Sequence, residues 1–180
     1  MRNFTQKHSL LIRIFLVMAM GLTVLTASAE ESFAPKVDLP KNLDNRDMWV
    51  NLIKQWVVPS KEEVGIPAYP GSVIVALKEK KGWMEVNGEK MDTLPAITLA
   101  TKDEPAKVAA FYKEKLADWK HKNQMDMFDI FWTGKDEFNN MDITESATTP
   151  NVVIMGAFSA QTDFLPGAKT AITIVYKPVK

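Results

Sequence analysis

The pattern of apolar and polar positions is clearest in residues 94–119, where a buried strand leads directly into an amphipathic helix. Residues 94–101 are mostly apolar or β-branched, which favours a strand. In the helix that follows, apolar side chains recur at helical spacing and share one face: Val108, Phe111, Tyr112, Leu116 and Trp119. Asp103 is the expected amino-terminal cap, and Pro105 suits the first turn. We expect this strand–helix unit to be the centre of the fold.

A second amphipathic helix is predicted over residues 44–58. Its apolar positions recur on one helical face: Met48, Trp49, Leu52, Ile53, Trp56 and Val57. Pro59 ends it, because the residue before a proline disfavours the helical conformation. Two tryptophans on a short helix bury a large area, so we expect the helix to pack on the sheet. Docking on a partner or on a membrane surface is the alternative.

The remaining apolar segments predict the strands of a sheet. A turn at Tyr69-Pro70-Gly71 precedes the first, and Asn87-Gly88 is a strong hairpin signal between two others. The predicted strands are residues 73–77, 83–86, 89–91, 94–101, 125–132, 152–160 and 170–176. Short connections favour antiparallel neighbours. The predicted fold class is α+β, a two-layer sandwich with a mainly antiparallel sheet of about 5–6 strands and two helices on one face.

The first 29 residues have the pattern of a secretory signal peptide. Arg2, Lys7 and Arg13 precede an apolar run at 14–26, and Ala27-Ser28-Ala29 provides small residues for cleavage before Glu30. An uncleaved membrane anchor is the alternative. The domain prediction therefore has three parts: a signal peptide at 1–29, a flexible leader at 30–43 and a single α+β domain at 44–180.

Composition narrows the range of functions. The chain has 22 basic and 22 acidic residues, and all the acidic ones follow the predicted cleavage site, so the mature chain is mildly acidic. Such a surface, with no basic run, argues against binding to nucleic acid. The chain has no cysteine, which excludes disulfides and a lipid anchor at the cleavage site. We predict a soluble periplasmic or secreted protein.

One module resembles a known type of protein. It comprises Pro67, Tyr69, Pro70 and Gly71, followed by the pattern Thr101-x-Asp103-x-Pro105-x-x-Val108-x-x-Phe111-Tyr112-x-x-x-Leu116. The module is similar to that of small exported bacterial proteins whose function is uncharacterised, and the similarity covers roughly residues 66–176. Because it rests on turn and core residues, the resemblance implies a shared fold and no catalytic or binding residues.

Few side chains are suited to catalysis or to metal binding. His121 is the one histidine after the predicted cleavage site and is expected in a solvated loop, while Ser72 and Ser159 lack the glycine pattern of a nucleophile elbow. His121 with Met125 and Met127 is an alternative site for cuprous copper, but the histidine is expected to lie too far away.

Carboxylates give no clearer site. Asp126 and Asp129 are three residues apart on a predicted strand and so face opposite sides. Residues 134–150 carry oxygen ligands suited to calcium, namely Asp136, Glu137, Asn139, Asn140, Asp142 and Glu145. Their spacing does not match the twelve-residue calcium loop, which makes a solvated, mobile loop the better interpretation. We predict no catalytic, cofactor-binding or metal residues and no cofactor.

The sequence therefore favours a non-enzymatic exported binding or accessory module. Its tryptophans would contact a small apolar ligand held between helix and sheet. Alternatively, they would contact another envelope protein that docks on the 44–58 helix. A hydrolase using carboxylates near residues 134–150 is the first alternative. A purely structural envelope protein is the second.

Overall fold

The computed structural model describes residues 31–78 and 82–179, which form a six-stranded antiparallel sheet and a separate two-stranded hairpin. The strands are β1 (Val73–Lys78), β2 (Gly82–Val86), β3 (Glu89–Thr93), β4 (Ala96–Thr101), β5 (Lys120–Gln124), β6 (Phe128–Trp132), β7 (Asn151–Gly156) and β8 (Thr170–Val175). The helices are α1 (Arg46–Gln55), α2 (Lys61–Val64), α3 (Pro105–Lys115), α4 (Ile143–Thr148) and α5 (Ser159–Phe164). The main sheet has the order β1-β4-β8-β7-β6-β5. The predicted α+β class and antiparallel sheet are confirmed.

The predicted signal peptide at 1–29 and its cleavage site lie outside the described residues. Within the described part of the chain, no helix combines the length and the apolar character that crossing a membrane requires.

The largest core lies between α3 and one face of the main sheet. Val108, Ala109 and Tyr112 point from α3 into this core, and Leu116 follows at the end of the helix. The sheet contributes one apolar residue or more from each of five strands: Ile74, Ile97, Leu99, Phe131, Val152, Ile154, Ile172 and Ile174. Fully burying each such side chain stabilises the fold by about 2 kcal/mol. The strand–helix unit is thus central, as predicted.

The other predicted helix, α1, lies on the opposite face of the sheet. Leu99 and Ala100 are neighbours in β4, so their side chains point to opposite faces. Leu99 belongs to the core beneath α3, whereas Ala100 belongs to a second cluster with Ile53 of α1. The two long helices therefore cover different faces, so the predicted placement of both helices on one face is wrong. Helix α5 joins α1 on the second face through Phe164.

The segment predicted as a flexible leader, 30–43, is part of the domain over its described residues. The backbone of Pro35 and Val37 hydrogen-bonds to Ile74 along the outer edge of β1. Phe33 is 1 % exposed and packs in the core beneath α3. The segment is extended, as predicted, but a domain boundary at residue 44 is wrong because these side chains complete the core.

The hairpin of β2 and β3 turns at Asn87 and Gly88, as predicted. Both residues have positive φ, 54° and 82°, which the tight turn between paired strands requires. The hairpin forms its own small sheet rather than extending the main one. At Ile74, the outer edge of β1 is bridged instead by residues 35–37.

Four local predictions were wrong. Residues 120–124 form the edge strand β5, although their side chains are all polar, as is common at an exposed sheet edge. Residues 125–127 are a turn, so β6 begins only at Phe128. Residues 134–150, expected to be a mobile loop, contain α4 and a buried Phe138. Residues 159 and 160 begin α5 rather than ending a strand.

Candidate functional site

An apolar groove lies on the α1 face of the sheet, between α1 and α5. We call it the α1–α5 groove, and its volume is about 640 Å³. That size is typical of small-molecule sites, which range over roughly 300–1,000 Å³. Most of its lining is apolar: Leu43, Trp49, Leu52, Ile53, Trp56, Val75, Ala76, Leu77, Ala160 and Phe164. The polar lining residues are Asp44, Asn45, Thr98, Gln161 and Asp163.

The walls of the groove follow from the amphipathic pattern of α1. Ile53 anchors the helix in the second cluster, while Leu52 beside it stays 45 % exposed in the groove. Trp49 and Trp56 are half-buried on the same side. The ring of Trp49 meets the ring of Phe164 edge-on at 5.1 Å between centroids, which joins α1 to α5. These contacts hold both walls in place and leave aromatic surface open.

The floor of the groove depends on an irregularity in β1. The register between β1 and β4 shifts between Ile74 and Ala76, so Val75 is an extra residue in β1. Ala76 then pairs with Thr98, and all three of Val75, Ala76 and Thr98 line the groove. The small side chain of Ala76 leaves space above the sheet that a larger residue would fill.

A cluster of polar side chains lies elsewhere, at the start of α3. The hydroxyl of Tyr69 donates to Asp103 Oδ2 at 2.7 Å, and Lys107 Nζ donates to the same oxygen at 3.0 Å. The hydrogen bond from Tyr69 and then that from Lys107 lower the pKa of Asp103, while Asp103 raises the pKa of Lys107. Burial and the bond to Asp103 raise the pKa of Tyr69. All three groups therefore keep their ordinary charge at neutral pH, which suits structural support.

The expectation that Asp103 caps α3 is wrong. Glu104 occupies the cap position, and its side chain makes no capping hydrogen bond. The carboxylate of Asp103 is instead directed to Tyr69 and Lys107. Glu104 pairs with Lys169 at 2.5 Å.

Both halves of the sequence module that carries the resemblance meet at this place. Besides the Tyr69–Asp103 bond, the buried hydroxyl of Tyr112 donates to the carbonyl of Pro67 at 3.1 Å. Burial raises the pKa of Tyr112 well above its ordinary range. Ser72, weighed above as a nucleophile, donates its hydroxyl to the Tyr69 carbonyl at 2.6 Å and is buried. The module therefore holds the turn before β1 against α3.

The residues considered for copper do not converge. His121 lies on β5 rather than in a loop, with Nε2 at 2.8 Å from Asp129 Oδ1 and its ring against Phe131. Met125 and Met127 lie in the β5–β6 turn, where they are 76 % and 59 % exposed. His121 precedes the last residue of β5 by three positions, which places it about 10 Å from the turn along the strand.

The acidic side chains of residues 134–150 form a helix cap and ion pairs with neighbouring residues. Asp142 accepts the backbone N–H of Glu145 at 3.1 Å and caps α4. Glu145 pairs with Lys135 at 3.1 Å, and the bond from Lys120 lowers the pKa of Asp136. In the described part of the chain, no three histidines or carboxylates are grouped as metal ligands.

The α1–α5 groove is thus the best-formed candidate site, and neither a metal nor a catalytic constellation competes with it in residues 31–78 and 82–179. Comparison with known proteins finds no matching family model, no similar curated protein and no similar solved structure. Sequence reasoning identified the tryptophans of α1 and missed α5, since the short sequence of α5 has little helical periodicity.

Proposed function

We propose that the protein is an exported, non-enzymatic binding module that holds a small apolar ligand in the α1–α5 groove. The observation that carries the proposal is the groove itself, which leaves Trp49, Leu52 and Trp56 partly exposed above an apolar floor. Apolar surface of this kind gains roughly 25 cal/mol for each Å² that a ligand covers. The resemblance to small exported bacterial proteins stays a prediction and is compatible with this function.

The direction of the pKa shifts supports binding over hydrolysis. A carboxyl group that acts as a general acid near neutral pH needs a raised pKa. Within residues 134–150, the hydrogen bond from Lys120 lowers the pKa of Asp136, and Glu145 is paired with Lys135. Hydrolase chemistry near residues 134–150 is therefore the weaker alternative.

Docking on another envelope protein through α1 is a second candidate function. Met48 at 56 % and Val57 at 78 % exposure present apolar surface near the groove. A docked protein would cover these two side chains, whereas a small ligand confined to the groove would leave them exposed.

A neutral apolar dye tests the proposal. N-phenylnaphthylamine fluoresces when it leaves water, and we expect saturable uptake of one dye molecule per chain by the wild-type protein. Ala76→Trp should abolish uptake because the indole fills the groove. Ala110→Trp is the matched control, since Ala110 is exposed on α3 on the other face of the sheet.

Thermal melting shows whether each variant is folded, and Ala160→Trp on α5 is a second filling variant. Equal dye uptake by wild type, Ala76→Trp and Ala160→Trp would overturn the groove as the binding site.

Export is tested separately by reading the amino terminus of protein made in its own host. A start at Glu30 supports cleavage, and a retained Met1 contradicts it.

A further inference from the structure

The charged side chains that line the α1–α5 groove are all acidic. Asp44 lies just before α1 and Asp163 lies in α5, so a carboxylate stands on each wall. Both side chains are exposed, and neither has an ion pair or hydrogen bond with another described residue. No lysine, arginine or histidine is among the described residues that line the groove.

The start of α1 also lies at the groove and opposes these charges only weakly. A helix amino terminus has the effect of about half a positive charge. Asp44 and Asp163 place two acidic side chains at the groove. Among the lining residues that the structure describes, the two acidic side chains have no basic counterpart, which favours a cationic ligand.

The aromatic walls favour the same kind of ligand. Tryptophan is the best aromatic partner for a cation, and an ammonium group over its ring gains about 0.5–1 kcal/mol at an exposed site. Trp49 and Trp56 both line the groove and both are half-buried, so each ring has accessible surface. Aromatic rings combined with carboxylates suit an ammonium group better than a neutral or anionic head group.

We propose that the ligand of the α1–α5 groove is a small cationic amphiphile with an aliphatic body and an ammonium head group. The body lies on Val75, Ala76 and Leu52, and the head group lies between Asp44 and Asp163. This inference rests on the proposed function, because it specifies the ligand of the same groove.

Three probes with the same decyl chain test the inference: decyltrimethylammonium, decanol and decanoate. Each is titrated below its micelle concentration, and binding is followed by calorimetry and by displacement of N-phenylnaphthylamine. We expect the ammonium compound to bind about fivefold more tightly than decanol, the size of effect that two exposed charge contacts produce. Decanoate should bind more weakly than decanol, and added salt should reduce the differences.

The double variant Asp44→Asn, Asp163→Asn should bind the ammonium, alcohol and carboxylate probes with similar affinity. The matched control is Asp92→Asn, Asp118→Asn, which removes the same charge from exposed positions outside the groove. This control should keep the preference for the ammonium compound.

Each outcome separates the two proposals. Equal binding of the three probes by the wild type would overturn the cationic ligand and leave the apolar groove standing. A preference for ammonium that survives in Asp44→Asn, Asp163→Asn would overturn the role of these carboxylates. Failure of every probe and of the dye to bind would overturn the proposed function itself.

Discussion

Tyr69 and Asp103 are 34 positions apart in the chain, and the tyrosine hydroxyl donates a 2.7 Å hydrogen bond to the aspartate carboxylate. The bond joins the turn before β1 to the segment that begins α3. Lys107 binds the same oxygen, so the carboxylate is held from two sides. The contact explains why a tyrosine in a turn and an aspartate near a helix start occur together in the module.

Removing the tyrosine hydroxyl should lower the free energy of unfolding. Tyr69→Phe keeps the ring packing against Phe111 and loses the bond to Asp103. We expect a loss of about 1 kcal/mol in urea unfolding, the size of a typical intramolecular hydrogen bond, because the partial exposure of Asp103 to solvent weakens the bond to its charge. In an Asp103→Asn background, Tyr69→Phe should cost less. Equal costs in both backgrounds would contradict a direct coupling of the two residues.

The stability of the protein in acid should depend on Asp103. Its pKa in the folded protein is lowered because Tyr69 and Lys107 bind the charged form. The resulting stabilisation is complete above the ordinary carboxyl pKa of about 4 and is lost as pH falls through the lowered value. Urea midpoints measured from neutral pH to about pH 3 should therefore fall less steeply for Asp103→Asn than for the wild type. Parallel pH profiles would contradict this role for Asp103.

The segment before α1 should contribute to the stability of the domain. Phe33→Ala removes a ring that is 1 % exposed, and we expect a loss of about 3 kcal/mol in the free energy of unfolding. Phe158→Ala is the matched control, because this ring is 62 % exposed and should cost under about 0.5 kcal/mol. Similar small effects for the two variants would mean that residues 31–39 are a loose leader after all.

The β5–β6 turn should be improved by asparagine. Met125 has φ 56°, a left-handed conformation that costs most side chains about 1 kcal/mol and that asparagine tolerates. Met125→Asn should raise the free energy of unfolding by about 0.5 kcal/mol, measured by thermal melting. Met141→Asn, at a comparably exposed methionine without positive φ, should have little effect. A loss of stability in Met125→Asn alone would contradict the strain assigned to this turn.

Periodicity identified the long elements and failed for the short ones. Helix α3, strand β4 and the turn at Asn87 and Gly88 were predictable because their patterns are local. Strand β5 was missed because it lies at an edge and has no apolar residue, and the Met125 turn lacks the usual glycine. Phe138 is buried against Trp132, with 5.9 Å between the ring centroids. Its burial was not predictable, because a single apolar residue in a polar segment forms no periodic pattern.

The sequence by itself determined the α+β class, the antiparallel sheet and the central strand–helix unit, since each depends on hydrophobic period and turn chemistry. Tertiary structure alone decided that α1 faces away from α3, that residues 31–39 complete the core and that α5 closes a groove over β1. These features depend on side chains that are distant in the chain, such as Trp49 and Phe164. Their contact arises only when the strands between them have paired, and a pattern of neighbouring residues carries no information about that pairing.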